Sequence, residues 1–131
     1  MENEIICLDT SILIDYYRKK DKQNSFFFQL TQTYQLFAIS VITEYEIMIG
    51  SSHLQDIFWL SFFEKVTILP FTREANKMAV EIYKQLKADN KLIEIADILI
   101  AATALANALK LATLNKNHFD RIPGIALIEK K

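Results

Sequence analysis

The 131-residue chain has one cysteine, two glycines, two prolines and no excess of charge of either sign. A lone thiol, Cys7, cannot close an internal disulfide, so a reducing compartment, the cytoplasm, is expected. Two glycines are too few for most Gly-rich phosphate loops, and no G-x-G-x-x-G pattern exists, which excludes dinucleotide binding of that kind. So few glycines and prolines also exclude low-complexity linkers and collagen-like repeats. No apolar run approaches the ~18 residues of a membrane span, so no membrane partner is expected. Fifteen basic against sixteen acidic residues leave a formal charge of -1. Such a chain is not held on nucleic acid mainly by phosphate contacts. An enzyme acting on nucleic acid through metal ions remains compatible with it. Glu2 and Glu4 stand where a secretory signal would carry basic residues, so no signal peptide is expected.

What is present is ordinary globular material, 51% hydrophobic and 24% charged, of a length that suits one domain over residues 1–131. Short apolar runs at 5–8, 36–39, 66–69, 111–114 and 125–128 read as buried strands. Segments with helical spacing lie between them, at 11–20, 24–34, 43–50, 53–64, 73–88 and 94–109. Alternation of this kind predicts an α/β fold: a central parallel sheet of about five strands flanked by helices on both faces. In such sheets functional groups gather beyond the carboxyl ends of the strands.

That rule selects four candidate catalytic positions. Asp9 follows the first strand and Asn115 follows the fourth. Glu46 lies near the start of the helix after the second strand, and Asp97 lies in the first turn of an apolar helix. Each also has a local reading. Asp9 suits a helix N-cap. Glu46 is three residues after Thr43, the spacing of a capping box. Asp97 suits the positive end of a helix dipole, and Asn115 suits a turn. Asp97, however, interrupts Ile93, Ile95, Ala96, Ile98, Leu99 and Ile100, where a carboxylate is costly unless paired or metal-bound. Carboxylates converging from three segments repel one another unless a cation sits among them. Oxygen donors without histidine or cysteine favour Mg²⁺ or Mn²⁺ over zinc.

Four stretches resemble, in order, the motifs of PIN-domain ribonucleases. They are Asp9-Thr10-Ser11-Ile12-Leu13-Ile14-Asp15; Ser40-Val41-Ile42-Thr43-Glu44-Tyr45-Glu46 with Gly50; Asp97-Ile98-Leu99-Ile100-Ala101-Ala102-Thr103-Ala104; and Thr113-Leu114-Asn115-Lys116-Asn117-His118-Phe119. The chain is most similar to the VapC toxins of toxin–antitoxin pairs. The resemblance implies a PIN-like fold and Mg²⁺- or Mn²⁺-dependent hydrolysis of RNA, with a VapB-type antitoxin as protein partner. By position it makes Asp9 and Asp97 the main metal ligands and Glu46 a third acidic residue acting on the metal or its water. Asn115 fills a slot that is often aspartate. Thr10, Ser11 and Thr113 become supporting hydroxyls. Glu94, three residues before Asp97 on a neighbouring helical face, is either an addition to the acidic cluster or a solvated surface residue.

Other residues carry weaker expectations. His118, near the fourth motif, is expected to be structural, with a substrate contact as the alternative, and His53 to be exposed. Arg18, Lys19, Lys20 and Lys22 form the one basic cluster, either a solvated helix end or an RNA-backbone contact. Most of Phe26, Phe27, Phe28, Phe58, Trp59 and Phe62 are expected in the core, with some of them meeting a protein partner, as the docking face of the antitoxin or a homodimer interface. A receiver domain is excluded because Val66 to Leu69 runs into Pro70-Phe71-Thr72, without a phospho-accepting aspartate. A haloacid-dehalogenase-type phosphatase would want aspartate where Ser11 stands. The remaining alternative is a non-catalytic PIN module that binds RNA or protein.

Overall fold

A computed structural model describes residues 3–130 of the protein. Five strands form one sheet: β1 (Ile5–Leu8), β2 (Leu36–Ser40), β3 (Thr67–Leu69), β4 (Lys110–Thr113) and β5 (Leu127–Glu129), in the order β3-β2-β1-β4-β5. Every pairing is parallel. The helices are α1 (Thr10–Arg18), α2 (Phe26–Thr31), α3 (Val41–Ile49), α4 (His53–Phe63), α5 (Arg73–Ala88), α6 (Ile95–Ala106) and α7 (Lys116–Phe119).

Alternation along β1 shows why the sheet is covered twice. Ile6 and Leu8 join one core with residues of α1, α2, α3 and α4, whereas Cys7 joins another with α5 and α6. All three side chains are fully buried. A central parallel strand apolar on both faces requires helices on each. The chain adds β2 and β3 on one side of β1, then returns to place β4 on the other. The crevice between the carboxyl ends of β1 and β4 is therefore the switch point of the sheet, where α/β folds hold ligands.

Several boundaries differ from the sequence reading for local reasons. Helix α1 ends at Arg18, because the Lys22 ammonium donates to the carbonyls of Tyr16 and Tyr17, both at 2.7 Å. Lys19 pairs with Asp15 at 3.2 Å. Two members of the basic cluster thus have partners within the chain. Helix α3 begins at Val41 rather than Thr43, capped by Ser40, whose hydroxyl accepts from the Ile42 amide at 3.0 Å. Gly124 adopts φ +78°, and β5 begins only at Leu127. Helix α7 was not foreseen; at four residues it is too short to show a period. Of the two N-terminal carboxylates, Glu2 lies outside the described residues, and Glu4 pairs with Lys110 at 3.2 Å.

The core reading of the aromatic residues holds for most of them, and the docking face drawn on all six does not. Phe26, Trp59 and Phe62 are buried, and Phe27, Phe28 and Phe58 half-buried. Trp59 packs against Tyr17, Phe58, Phe62 and Phe63, with ring centroids 4.9–6.1 Å apart. Three consecutive Phe residues do point in different directions. Phe26 nevertheless enters the core, and Phe27 packs against Tyr16, Phe37 and Phe62. Large exposed apolar side chains lie elsewhere, among them Tyr45 and Ile49 on α3, Leu54, Ile57 and Leu60 on α4 and Ile95 on α6.

Candidate active site

Asp9, Thr10, Ser11, Ile14, Glu46, Glu94, Asp97, Asn115 and His118 line one cleft of about 220 Å³. All four candidates from the sequence therefore meet, and Glu94 joins them. The cleft opens where β1 and β4 end.

Asp9 is the most deeply placed, at 2% exposure. Its backbone amide donates to the Ala112 carbonyl at 3.1 Å, tying the end of β1 to β4. The carboxylate accepts from Ser11 Oγ at 2.6 Å, Thr113 Oγ1 at 2.8 Å and the Ile12 amide at 3.4 Å. Asp9 is thus the N-cap of α1 and also a wall of the cleft; the local and the functional readings coexist. Burial pushes its pKa up to about 6, and the Asp97 charge adds to the rise, against the three hydrogen bonds.

Glu46 is not part of a capping box. Thr43 is buried inside α3, and the cap is Ser40. Glu46 Oε1 instead accepts from Thr10 Oγ1 at 2.6 Å, and that hydroxyl lies 3.1 Å from Thr43 Oγ1. The Thr43–Glu46 spacing thus serves a contact between α1 and α3 rather than the end of a helix.

Asp97 stands in the first turn of α6, whose cap residue, Glu94, makes no side-chain cap bond. Burial raises the Asp97 pKa; the His118 hydrogen bond and charge oppose this, and the Glu46 and Glu94 charges reinforce it. His118 Nδ1 lies 3.3 Å from Asp97 Oδ2. Of the two readings of His118, structural or near substrate, its place on the cleft wall agrees with the second. The one available signal was its place three residues after Asn115. Asn115 itself follows β4 after Leu114, and its amide donates to Thr113 Oγ1 at 2.8 Å. Its side chain lines the cleft without adding charge.

The donor set is chemically suited to a hard divalent cation. It consists of carboxylate oxygens whose mutual repulsion a cation would relieve. Among the described residues, no three acidic, histidine or cysteine side chains are gathered tightly enough to hold an ion as they stand. Asp9 and Glu46 are turned to hydroxyl donors and Asp97 to His118.

The PIN domain family model matches residues 6–125, nearly the whole described chain. The chain belongs to the PIN-domain family. The order of motifs, the five-stranded parallel sheet and the helices on both faces agree with that membership. This PIN domain is 34% identical to Ribonuclease VapC1 of Methanocaldococcus jannaschii, covering 96% of this chain and 87% of that protein. It is 35% identical to Ribonuclease VapC1 of Rickettsia felis, covering 94% of both. Among solved structures it resembles VapBC2 from Rickettsia felis bound to a promoter DNA fragment, with a TM-score of 0.82 and 26% identity, covering 97% of this chain and 99% of that one. It resembles VapBC-1 from nontypeable Haemophilus influenzae with a TM-score of 0.81 and 25% identity, covering 95% and 97%. No helix among the described residues of this PIN domain is long and apolar enough to cross a membrane.

Proposed function

We propose that the protein is a Mg²⁺- or Mn²⁺-dependent endoribonuclease, the toxin of a VapBC-type toxin–antitoxin pair. The observation that carries this reading is the meeting of Asp9, Glu46 and Asp97, from three separate segments, in one cleft at the switch point of the sheet. The relatives named as VapC ribonucleases support the activity, and the VapBC complexes support a VapB-type antitoxin partner. Asp9 and Asp97 would hold the cation, with Glu46 acting on it or on its water. When bound, the ion would supply positive charge beside the scissile phosphate and make a water more acidic.

The chain's own residues do the positioning. Ser11 and Thr113 fix the Asp9 carboxylate. Thr10 fixes one oxygen of Glu46 at the cleft wall and leaves the other to accept a proton from the attacking water. In-line attack by water at phosphorus leaves a 5′-phosphate and a 3′-hydroxyl. Cleavage of RNA that stops on chelation and returns with Mn²⁺ tests the proposal. The alternative, a non-catalytic PIN module, draws on one observation: Asn115 brings no charge to a slot that is often acidic. Absence of cleavage at any metal concentration would select it.

Glu46→Gln separates catalysis from structure. The amide oxygen can still accept from Thr10, so melting temperature should hold while RNA cleavage falls. Loss of stability with activity retained would make Glu46 structural. Asn115→Asp tests the uncharged slot. An added carboxylate strengthens a hard-ion site, so calorimetry should show tighter Mn²⁺ binding, and unchanged binding would place Asn115 outside the site.

Of the six aromatics, Trp59 lines the cleft that suits antitoxin docking best. A second cleft of about 300 Å³, lined by Ile14, Tyr17, Arg18, Glu46, Ile47, Gly50, Gln55 and Trp59, shares Ile14 and Glu46 with the first. An apolar antitoxin segment seated there would bring a basic side chain to the acidic cluster. A homodimer would use the exposed apolar side chains of α3 and α4.

A further inference from the structure

We propose that His118 is the positioning residue for the Asp97 carboxylate, setting its orientation for divalent-cation binding. The inference rests on the metal-dependent reading above. Asp9 and Asp97 are held very differently. Asp9 accepts from two hydroxyls and a backbone amide. Among the described residues, the one group that hydrogen-bonds the Asp97 carboxylate is His118 Nδ1. Glu46 and Glu94 bear on Asp97 with like charge, and the preceding cap position supplies no side-chain bond to that helix end. A carboxylate repelled by its neighbours and tethered once takes its orientation from that tether.

The tether is itself well anchored. The His118 backbone amide donates to the Asn115 carbonyl at 3.0 Å. The next residue, Phe119, is completely buried, and Ile122 nearly so, which fixes α7 against the α5–α6 core. The ring is not packing material, since the His118 side chain is 46% exposed against 19% for Asp97. The contact reaches Oδ2 alone, so the other carboxylate oxygen keeps its lone pairs for a ligand. A neutral ring that carries its proton on Nδ1 donates to the carboxylate as an imidazolium does. Partners of this kind, which orient a ligand without touching the ion, change metal affinity by 10–100-fold when removed.

The test uses the metal alone as probe. Mn²⁺ is titrated calorimetrically into the parent, His118→Leu, His118→Gln and His118→Asn, with melting temperatures recorded without metal. His118→Leu should weaken Mn²⁺ binding by roughly 10–100-fold. His118→Gln carries its amide beyond the Nδ1 position and should weaken binding likewise. His118→Asn places an amide nitrogen near the position of Nδ1 and should bind close to the parent. Melting temperatures should stay together, because the replaced ring is half exposed. In RNA cleavage, excess Mn²⁺ should restore the kcat of His118→Leu. If the leucine variant does not fold, the glutamine variant carries the same comparison. Parental affinity in the leucine or glutamine variant overturns the inference, as does an asparagine variant as weak as leucine. A parent that takes up no Mn²⁺ overturns both the inference and the metal-dependent reading. A parent that binds Mn²⁺ and cleaves RNA beside an equally competent leucine variant overturns only the role of His118.

Discussion

Asp9→Asn is expected to reduce RNA cleavage by at least ~10²-fold while making the metal-free protein more stable. The first effect follows from removing one anionic ligand, since preorganised charge in a reaction centre is worth about that much. The second follows from the raised pKa of Asp9, about 6 instead of the usual ~4. The folded chain binds a proton at Asp9 more readily than the unfolded chain does. Stability from this group is therefore greatest at low pH and is lost as pH rises from about 4 through 6. Asparagine removes that dependence. Below pH ~4 the variant gains little, and above pH ~6 it gains roughly 1–3 kcal/mol. Thermal melts across this range, with and without Mn²⁺, check both parts. Mn²⁺ should stabilise the parent and not the variant. A variant less stable than the parent at pH 7 without metal would mean that the hydrogen bonds to Asp9 outweigh its buried charge.

Trp59→Ala should cost roughly 3–5 kcal/mol of folding stability, the loss expected for truncating a large buried aromatic side chain. Trp59 is 4% exposed and shares a cluster with Tyr17, Phe58, Phe62 and Phe63. Were Trp59 only a docking residue on the wall of the second cleft, its loss would weaken antitoxin binding and leave the fold intact. Its position now predicts a lower denaturation midpoint first. Urea unfolding compared with Ile57→Ala separates the two cases, because Ile57 is highly exposed on the same helix and should cost almost nothing. Equal stability for the parent and Trp59→Ala would return the aromatic cluster to the surface.

Strands and acidic positions were legible in the sequence for specific reasons. β1 is apolar on both faces, so Ile5 to Leu8 read as a buried parallel strand. Asp97 stood out because a carboxylate inside an isoleucine-rich helix has few inexpensive explanations. Glu46 was harder, since its spacing from Thr43 imitates a capping box; only the fold shows that Ser40 caps α3 and that Thr10 holds Glu46. His118 was legible only as one position of the fourth motif. Its contact with Asp97 spans 21 positions and depends on α7, too short to carry a periodic signal. The docking face drawn on all six aromatic residues misled for a related reason. Helical phase says which way a ring points, whereas burial depends on neighbours such as Tyr16 and Phe37 from other elements.

End-group analysis of RNA incubated with the protein tests the central claim most directly. Cleavage should require Mg²⁺ or Mn²⁺, stop on chelation, vanish in Asp97→Asn, and leave 5′-phosphate and 3′-hydroxyl termini. Products bearing a 2′,3′-cyclic phosphate, or cleavage that persists in chelator or in Asp97→Asn, would contradict metal-assisted hydrolysis in this cleft.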